Sequence, residues 1–205
     1  MEASVAGDTV ERGSGHVLLH VCCAPCATYP VLYLRELGYE VTALWYNPNI
    51  QPWSEHEARR VCLANYAQQV GMRVLWEPGY EVLAFLRSVV GSEEKARRCP
   101  VCYRLRLERA ARRAAEGGFA AFTTTLLVSP YQDVAELCRC GEELARIYSV
   151  RFLALDFRKG WATRGKLVRE YGLYRQQYCG CLFSEFERYA KLPIEQAVAV
   201  RYEDK

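Results

Sequence analysis

Apolar residues fall into short continuous runs, and the segments between them carry apolar positions at helical spacing. His16-Val17-Leu18-Leu19-His20-Val21 is such a run, the pattern of a strand buried on both faces. Ala27 to Leu37 reads as a helix that stops at Gly38. Glu40 to Tyr46 predicts a second strand, ended by the turn signal Asn47-Pro48-Asn49. Ser54 followed by Glu57 is a capping box for a helix to about Val70, with Gly71 as its stop. Arg73 to Trp76 supplies a third short strand, and a helical stretch begins near Tyr80.

The second half continues the alternation. After a charged connector, Gly91 to Arg98, the run Cys99-Pro100-Val101-Cys102 opens a long helix through Glu116, with Cys99 as N-cap and Pro100 as first helical residue. Phe119 to Thr125 is a fourth strand, Ser129-Pro130 starts a helix from about Tyr131 to Tyr148, and Val150 to Phe157 is a fifth strand. Thr163 to Leu192 is helical, interrupted at Tyr178-Cys179-Gly180-Cys181. Strands alternating with helices predict an α/β fold: a parallel sheet of about five strands flanked by helices, with a C-terminal helical extension. Ligands then bind outside the carboxyl ends of the strands. Residues 1–15, polar and glycine-containing, read as a mobile tail before a single catalytic domain over residues 16–205.

A chain of 205 residues, 51% hydrophobic, suits one domain with a full core. Its net charge of +3 gives no strong vote for nucleic acid, so the distribution of charge must decide. No apolar run approaches the roughly 18 to 20 residues that span a bilayer, and the polar start lacks a signal peptide, which predicts a cytoplasmic protein without membrane contact. In a reducing compartment, ten cysteines point to metal binding or redox chemistry rather than a disulfide scaffold.

The thiols cluster. Cys22, Cys23 and Cys26 follow the first strand. Adjacent cysteines share one tetrahedral metal poorly but can reach separate atoms of a cluster. Cys99 and Cys102, at a helix start, would be favoured as thiolates by the unpaired N–H groups and the dipole there. With Cys22 and Cys23 they make four thiolates, suited to a structural zinc or an iron-sulfur cluster, and the vicinal pair favours the cluster. Cys26 is either a ligand of a second metal or a small buried side chain. A disulfide between Cys179 and Cys181 would be strained and labile, suited to electron transfer; two unpaired thiols or two more ligands are the alternatives. Cys62, Cys138 and Cys140 stay outside the site.

Arg104, Arg106, Arg109, Arg112 and Arg113 line one helix and read largely as a solvated face. Arg158, Lys159, Arg164, Lys166, Arg169 and Arg175 are interleaved with Trp161, Tyr171, Tyr174 and Tyr178, which suits looped RNA, where phosphates are neutralised and bases stack. His20 and His56 read as structural. Asp156, at the end of a strand, is placed for proton transfer or for an ion pair with Arg158.

These motifs together resemble the QueH-type epoxyqueuosine reductases from His16 to about Pro193. The resemblance rests on Cys22 to Cys26, Cys99 to Tyr103 with Arg106, Thr123 to Leu126 with Ser129 to Gln132, Asp156 to Lys159, and Tyr174 to Gln176 with Tyr178 to Cys181. It implies a Rossmann-like fold of the PP-loop and adenine-nucleotide-binding kind, and reduction of epoxyqueuosine to queuosine in the wobble nucleoside of tRNA. It further implies a 4Fe-4S cluster on Cys22, Cys23, Cys99 and Cys102, with a second mononuclear metal, iron, near Cys26. Cys179 and Cys181 become the redox-active pair, resupplied by an external electron donor, and Asp156 or Tyr178 handles a proton. Thr124, Tyr131, Gln132, Arg158, Lys159, Arg175 and Tyr178 are the implied substrate contacts. The rivals are a zinc-stabilised RNA-binding module without catalysis and a metal-free thiol-disulfide oxidoreductase.

Overall fold

The computed structural model describes residues 13–190. Its strands β1 (His16–His20), β2 (Glu40–Trp45), β3 (Arg73–Trp76), β4 (Ala121–Thr124) and β5 (Arg151–Phe152) form one sheet in the order β3-β2-β1-β4-β5. Every pairing is parallel. Helices α1 (Ala24–Glu36), α2 (Trp53–Gln69), α3 (Val82–Val89), α4 (Lys95–Glu116) and α5 (Val134–Tyr148) connect the strands. Helices α6 (Trp161–Glu170) and α7 (Leu182–Tyr189) form the C-terminal extension. Right-handed crossovers put α1 and α2 on one face and α4 and α5 on the other, and each pair packs together.

The continuous apolar run made β1 the central strand: Val17, Leu18, Leu19 and His20 are fully buried. On α4 the stripe Cys102, Tyr103, Arg106, Leu107, Ala110, Ala111 and Ala114 faces inward, its alanines letting the helix lie close on β1 and β4. From β1 the chain winds first to β2 and β3, then crosses back to β4 and β5. The crevice between β1 and β4 is therefore the switch point where such sheets bind ligands.

Several expected boundaries moved. The helix expected to open at Cys99 starts at Lys95 with Glu94 as its cap residue, so Cys99 is not an N-cap and Pro100 lies inside α4. The charged residues assigned to a connector are good helix formers and supply the extra turn. Asp133, not Ser129, caps α5, accepting from Glu136 N at 3.0 Å, and the Ser129-Pro130 segment is a turn ahead of it. Helix α2 begins at Trp53, so Ser54 lies in its first turn rather than before it. The fourth strand ends at Thr124, and residues Thr125–Val128 coil into a 3-10 turn. The fifth strand has two residues rather than eight. Beyond Leu153, held by Phe122 O and Thr123 Oγ1, the chain leaves the sheet edge. Gly13 and Gly15, placed in the expected tail, hydrogen-bond to Leu37 O and Glu40 N; residues 1–12 and 191–205 lie outside the described residues. Among the described residues no helix is long and apolar enough to cross a membrane.

Leu18→Ala should destabilise the metal-free protein by about 2–5 kcal/mol, the cost of a fully buried leucine and the cavity it leaves. Urea denaturation followed by circular dichroism measures it.

Candidate functional site

Both loops at the switch point carry chemistry. After β1, the chain turns at Cys23 into α1, whose second residue is Pro25, so Cys22, Cys23 and Cys26 gather at the helix start. Their three sulfurs lie within 4.8 Å of one another and all are buried. The sulfurs of Cys22 and Cys23 are 3.8 Å apart. After β4, Thr125 accepts from Cys22 N at 3.1 Å and its hydroxyl reaches Cys22 Sγ at 3.3 Å. The amide of Gln176 donates to Cys23 Sγ at 2.9 Å and lies 3.7 Å from Cys26 Sγ.

Hydrogen bonds from its neighbouring thiols, with help from Arg106 and Thr125, pull the Cys22 thiol well below its ordinary range. Burial pushes Cys23 far up. Cys26 is held up at about 12, chiefly by its hydrogen bond to Cys22. The set thus holds one thiolate readily and resists a second. A cation bound among the sulfurs would displace the remaining protons, which is the behaviour of a metal site.

Arg106 links this loop to α4. Its guanidinium is 1% exposed; Nε donates to His20 Nε2 at 3.2 Å, Nη2 to Asn47 Oδ1 at 2.8 Å, and Nη1 approaches Cys102 Sγ at 3.8 Å. An arginine can only donate, so His20 Nε2 accepts and the imidazole proton sits on Nδ1, 2.8 Å from Thr124 Oγ1. Burial, then the Arg106 charge, depresses His20 to about 3, so it is neutral. Asn47 completes the chain by donating to Val21 O at 2.9 Å.

Cys99 and Cys102 lie on α4, with Cys102 within reach of the Arg106 guanidinium. Both are raised, to about 11 and about 12, primarily by burial. The expected thiolate-favouring helix start is absent, because the free N–H groups of α4 lie a full turn earlier. Cys179 and Cys181 add to the upward shift of both residues. Cys102 and Cys181 pack in one small cluster with Phe85 and Val89.

The Cys179-Gly180-Cys181 loop is clamped. Arg59, 1% exposed, donates to Cys179 O at 2.9 Å and Tyr178 O at 3.0 Å while Glu55 accepts from its Nε at 2.6 Å. Gln51 N donates to Gly180 O, Gln51 Oε1 accepts from Leu182 N, and Tyr178 donates its hydroxyl to Gln51 O at 2.5 Å. Gly180 has φ of 129°, and a Cβ there would come within 3.0 Å of Ile50 and 3.2 Å of Arg59, so only glycine fits. Cys179 is solvent-accessible, Gln132 Nε2 reaches its sulfur at 3.7 Å, and surrounding protein atoms raise its thiol. No disulfide joins any of the ten cysteines.

The expected substrate residues divide. Gln132 reaches the Cys179 thiol, but Thr124 is fully buried and occupied by His20 and Leu126 N. Its neighbour Thr125 touches the site instead, because the strand gives way to a 3-10 turn there. Asp156 does not end a strand; it caps a 3-10 turn and is paired with Arg158 at 2.6 and 2.8 Å, which keeps it below the usual carboxylate range. Lys159 reaches the Tyr33 hydroxyl at 3.1 Å, Tyr131 is 72% exposed against Trp161, and Arg175 is exposed. Sequence reasoning missed Arg59, Gln176 and Thr125 as site residues, and read Arg106 mainly as surface. The available signal was position: Arg59 and Arg106 fall within buried helical stripes.

Residues 17–187 match the family described as epoxyqueuosine reductase QueH. The protein of that description from Dehalococcoides mccartyi is 37% identical over 175 residues, covering 85% of this chain and 95% of its own. The one from Thermotoga maritima is 36% identical over 184 residues, covering 86% and 94%. Among solved structures, the U34-tRNA thiolase NcsA from Methanococcus maripaludis with its 4Fe-4S cluster has a TM-score of 0.55 at 14% identity, covering 87% of this chain and 64% of that one. A predicted subunit of tRNA methyltransferase from Methanocaldococcus jannaschii gives 0.50 at 14% identity, over 77% and 74%. Likeness at this identity shows the Rossmann-like fold.

Because His20 stays neutral in the folded protein to about 3 but takes a proton near 6.5 when unfolded, its burial adds stability that is full above pH 6.5. That contribution falls as the pH drops towards 3, where the unfolded chain binds the extra proton. Nitrogen-15 NMR of the imidazole should show one neutral tautomer, protonated at Nδ1, at pH 5; a titration midpoint near 6.5 would contradict this.

Proposed function

The chain belongs to the QueH family of epoxyqueuosine reductases, and on that footing we propose that it reduces epoxyqueuosine to queuosine in the wobble nucleoside of tRNA. The observation that carries the reading is the pairing of buried thiols at Cys22, Cys23 and Cys26 with the clamped Cys179-Gly180-Cys181 loop, on either side of Arg106. The net change is an epoxide, two protons and two electrons giving an alkene and water. Two thiols that close to a disulfide release two electrons and two protons, so the dithiol balances the reaction. An external electron donor then reopens the disulfide.

The donor set fits a thiolate-held iron centre: three buried sulfurs converge, and a buried cation lies beside them. We assign a 4Fe-4S cluster to Cys22, Cys23, Cys99 and Cys102, and a mononuclear iron to the neighbourhood of Cys26. Bound there, such a centre supplies one-electron steps and a Lewis acid for the epoxide oxygen. Arg106 would offset the negative charge that builds on the sulfurs. Gln132 holds Cys179 towards the centre, and Arg59 with Gln51 keeps the loop backbone from shifting as its sulfurs change state. Asp156 is ionised against Arg158, and the Tyr178 hydroxyl is committed to Gln51 O, so we assign the protons to the thiols of Cys179 and Cys181. Exposed Tyr131, Arg158, Lys159 and Arg175 would meet the RNA. The zinc-stabilised module without catalysis is not favoured, since the matched relatives are reductases over nearly their whole length.

Anaerobic protein should bind iron and acid-labile sulfide and turn over epoxyqueuosine-containing tRNA. Cys22→Ala and Cys99→Ala should lose cluster absorbance and turnover together, and iron-free protein with full activity would sink the proposal. Cys26→Ala should keep the cluster absorbance and lose one iron per chain. If Cys26→Ala bleaches the protein while Cys99→Ala does not, the three clustered thiols carry the cluster instead. Cys181→Ala should retain iron and sulfide yet fall at least about 100-fold in steady-state rate, a loss of roughly 3 kcal/mol.

A further inference from the structure

A cavity of about 290 Å³ opens at the carboxyl ends of β2 and β3, lined by Trp45, Trp53, His56, Arg60, Trp76 and Tyr80, with Glu77 and Gly79. The reaction uses none of these residues. Trp45 and Trp76 are register partners at the carboxyl ends of β2 and β3, so the cavity stands on the same sheet edge as Cys22. Strand spacing of about 4.8 Å puts those two ends about 5 and 10 Å from that of β1, and Asn47, just past Trp45, is bonded to Val21 O.

Trp45 belongs to the core, but core packing does not account for Trp53 and Trp76. Trp53 and Trp76 keep 54% and 39% of their surface exposed. Trp53 stacks on His56 with centroids 5.7 Å apart and meets Tyr80 edge-on at 5.3 Å. Arg60, held by Glu57 at 2.6 and 2.8 Å, lays its guanidinium 5.7 Å from the centre of the Trp76 ring. His56 is buried, and its Nδ1 has no hydrogen-bond partner among the described residues. Accessible indole faces with a cation at the rim are how proteins hold unpaired bases. The volume lies at the low end of the range for small-ligand sites, about 300–1,000 Å³, enough for one flat ring system and too small for a helix.

We propose that this cavity takes one unpaired base of the RNA loop, next to the nucleoside that reacts at the thiols, stacked against Trp53. The inference rests on the tRNA-substrate reading and adds to it where the loop is gripped.

The test is binding of an anticodon stem-loop RNA, by fluorescence anisotropy, to iron-loaded wild type, Trp53→Ala and Trp53→Phe. The same proteins are titrated with hairpins carrying a single abasic position on either side of the wobble nucleoside. Trp53→Ala should weaken binding about 5- to 150-fold and Trp53→Phe much less. With one of the two abasic hairpins the Trp53→Ala loss should disappear, because the ring and the base form one interaction. Trp76→Ala, on another wall, should show the same coupling, and the iron and sulfide content of each variant should match wild type. Wild-type affinity in both alanine variants, or equal losses against every hairpin, would overturn the proposal alone. A wild-type protein that binds no hairpin would overturn the tRNA-substrate reading with it.

Discussion

A guanidinium removed from water sits at the centre of this site, and the surrounding structure accommodates it. Burying an isolated charge costs several kcal/mol even after relaxation, and the hydrogen-bond partners of Arg106 among the described residues are an imidazole, an amide oxygen and a sulfur. Those partners give each of its three nitrogens an acceptor without cancelling its charge. The negative charge therefore has to come from sulfur, and Cys22, Cys102 and Cys179 all raise the guanidinium pKa. A cluster of thiols and a buried arginine are two halves of one arrangement, stable together when sulfurs are ionised or bound to metal.

This arrangement explains two otherwise separate features. His20 is neutral because burial and then the Arg106 charge disfavour its cation, and its proton is directed to Thr124, the register partner of His20 across β1 and β4. A strand-pairing contact thus sets the tautomer beneath the site. Arg59 plays a comparable part on the other side, with its charge met by Glu55 and its donors spent on the carbonyls of Tyr178 and Cys179. One buried arginine holds the sulfurs' charge, and the other holds the shape of the loop that carries two of them.

The alternation of apolar runs and helical stripes was enough to predict the strand and helix sequence, since a parallel strand buried on both faces has little choice but to be continuously apolar. Boundaries were less legible. A proline at a position where helices often begin predicts the start of α4 at Cys99-Pro100, yet the four residues before it, three of them charged, extend the helix. The same shift removed the dipole argument for those thiols, and burial raises both. Similarly, Asp156 was read as the end of a strand that stops at Phe152.

The sequence by itself determined the α/β class, the thiol clusters at the strand end and the family resemblance, because hydrophobic period and residue identity are local properties. Only the tertiary structure decided which polar groups are buried and what they face. Arg106 and the arginines around it are indistinguishable by composition, and two positions along α4, about half a helical turn, separate the buried guanidinium of Arg106 from the exposed one of Arg104. Thr125 rather than Thr124 meets Cys22, and Gln176 reaches across from the C-terminal extension to Cys23 and Cys26. Contacts of this kind join residues more than a hundred positions apart, brought together by the crossover from β3 to β4 and by the packing of α6 on α1.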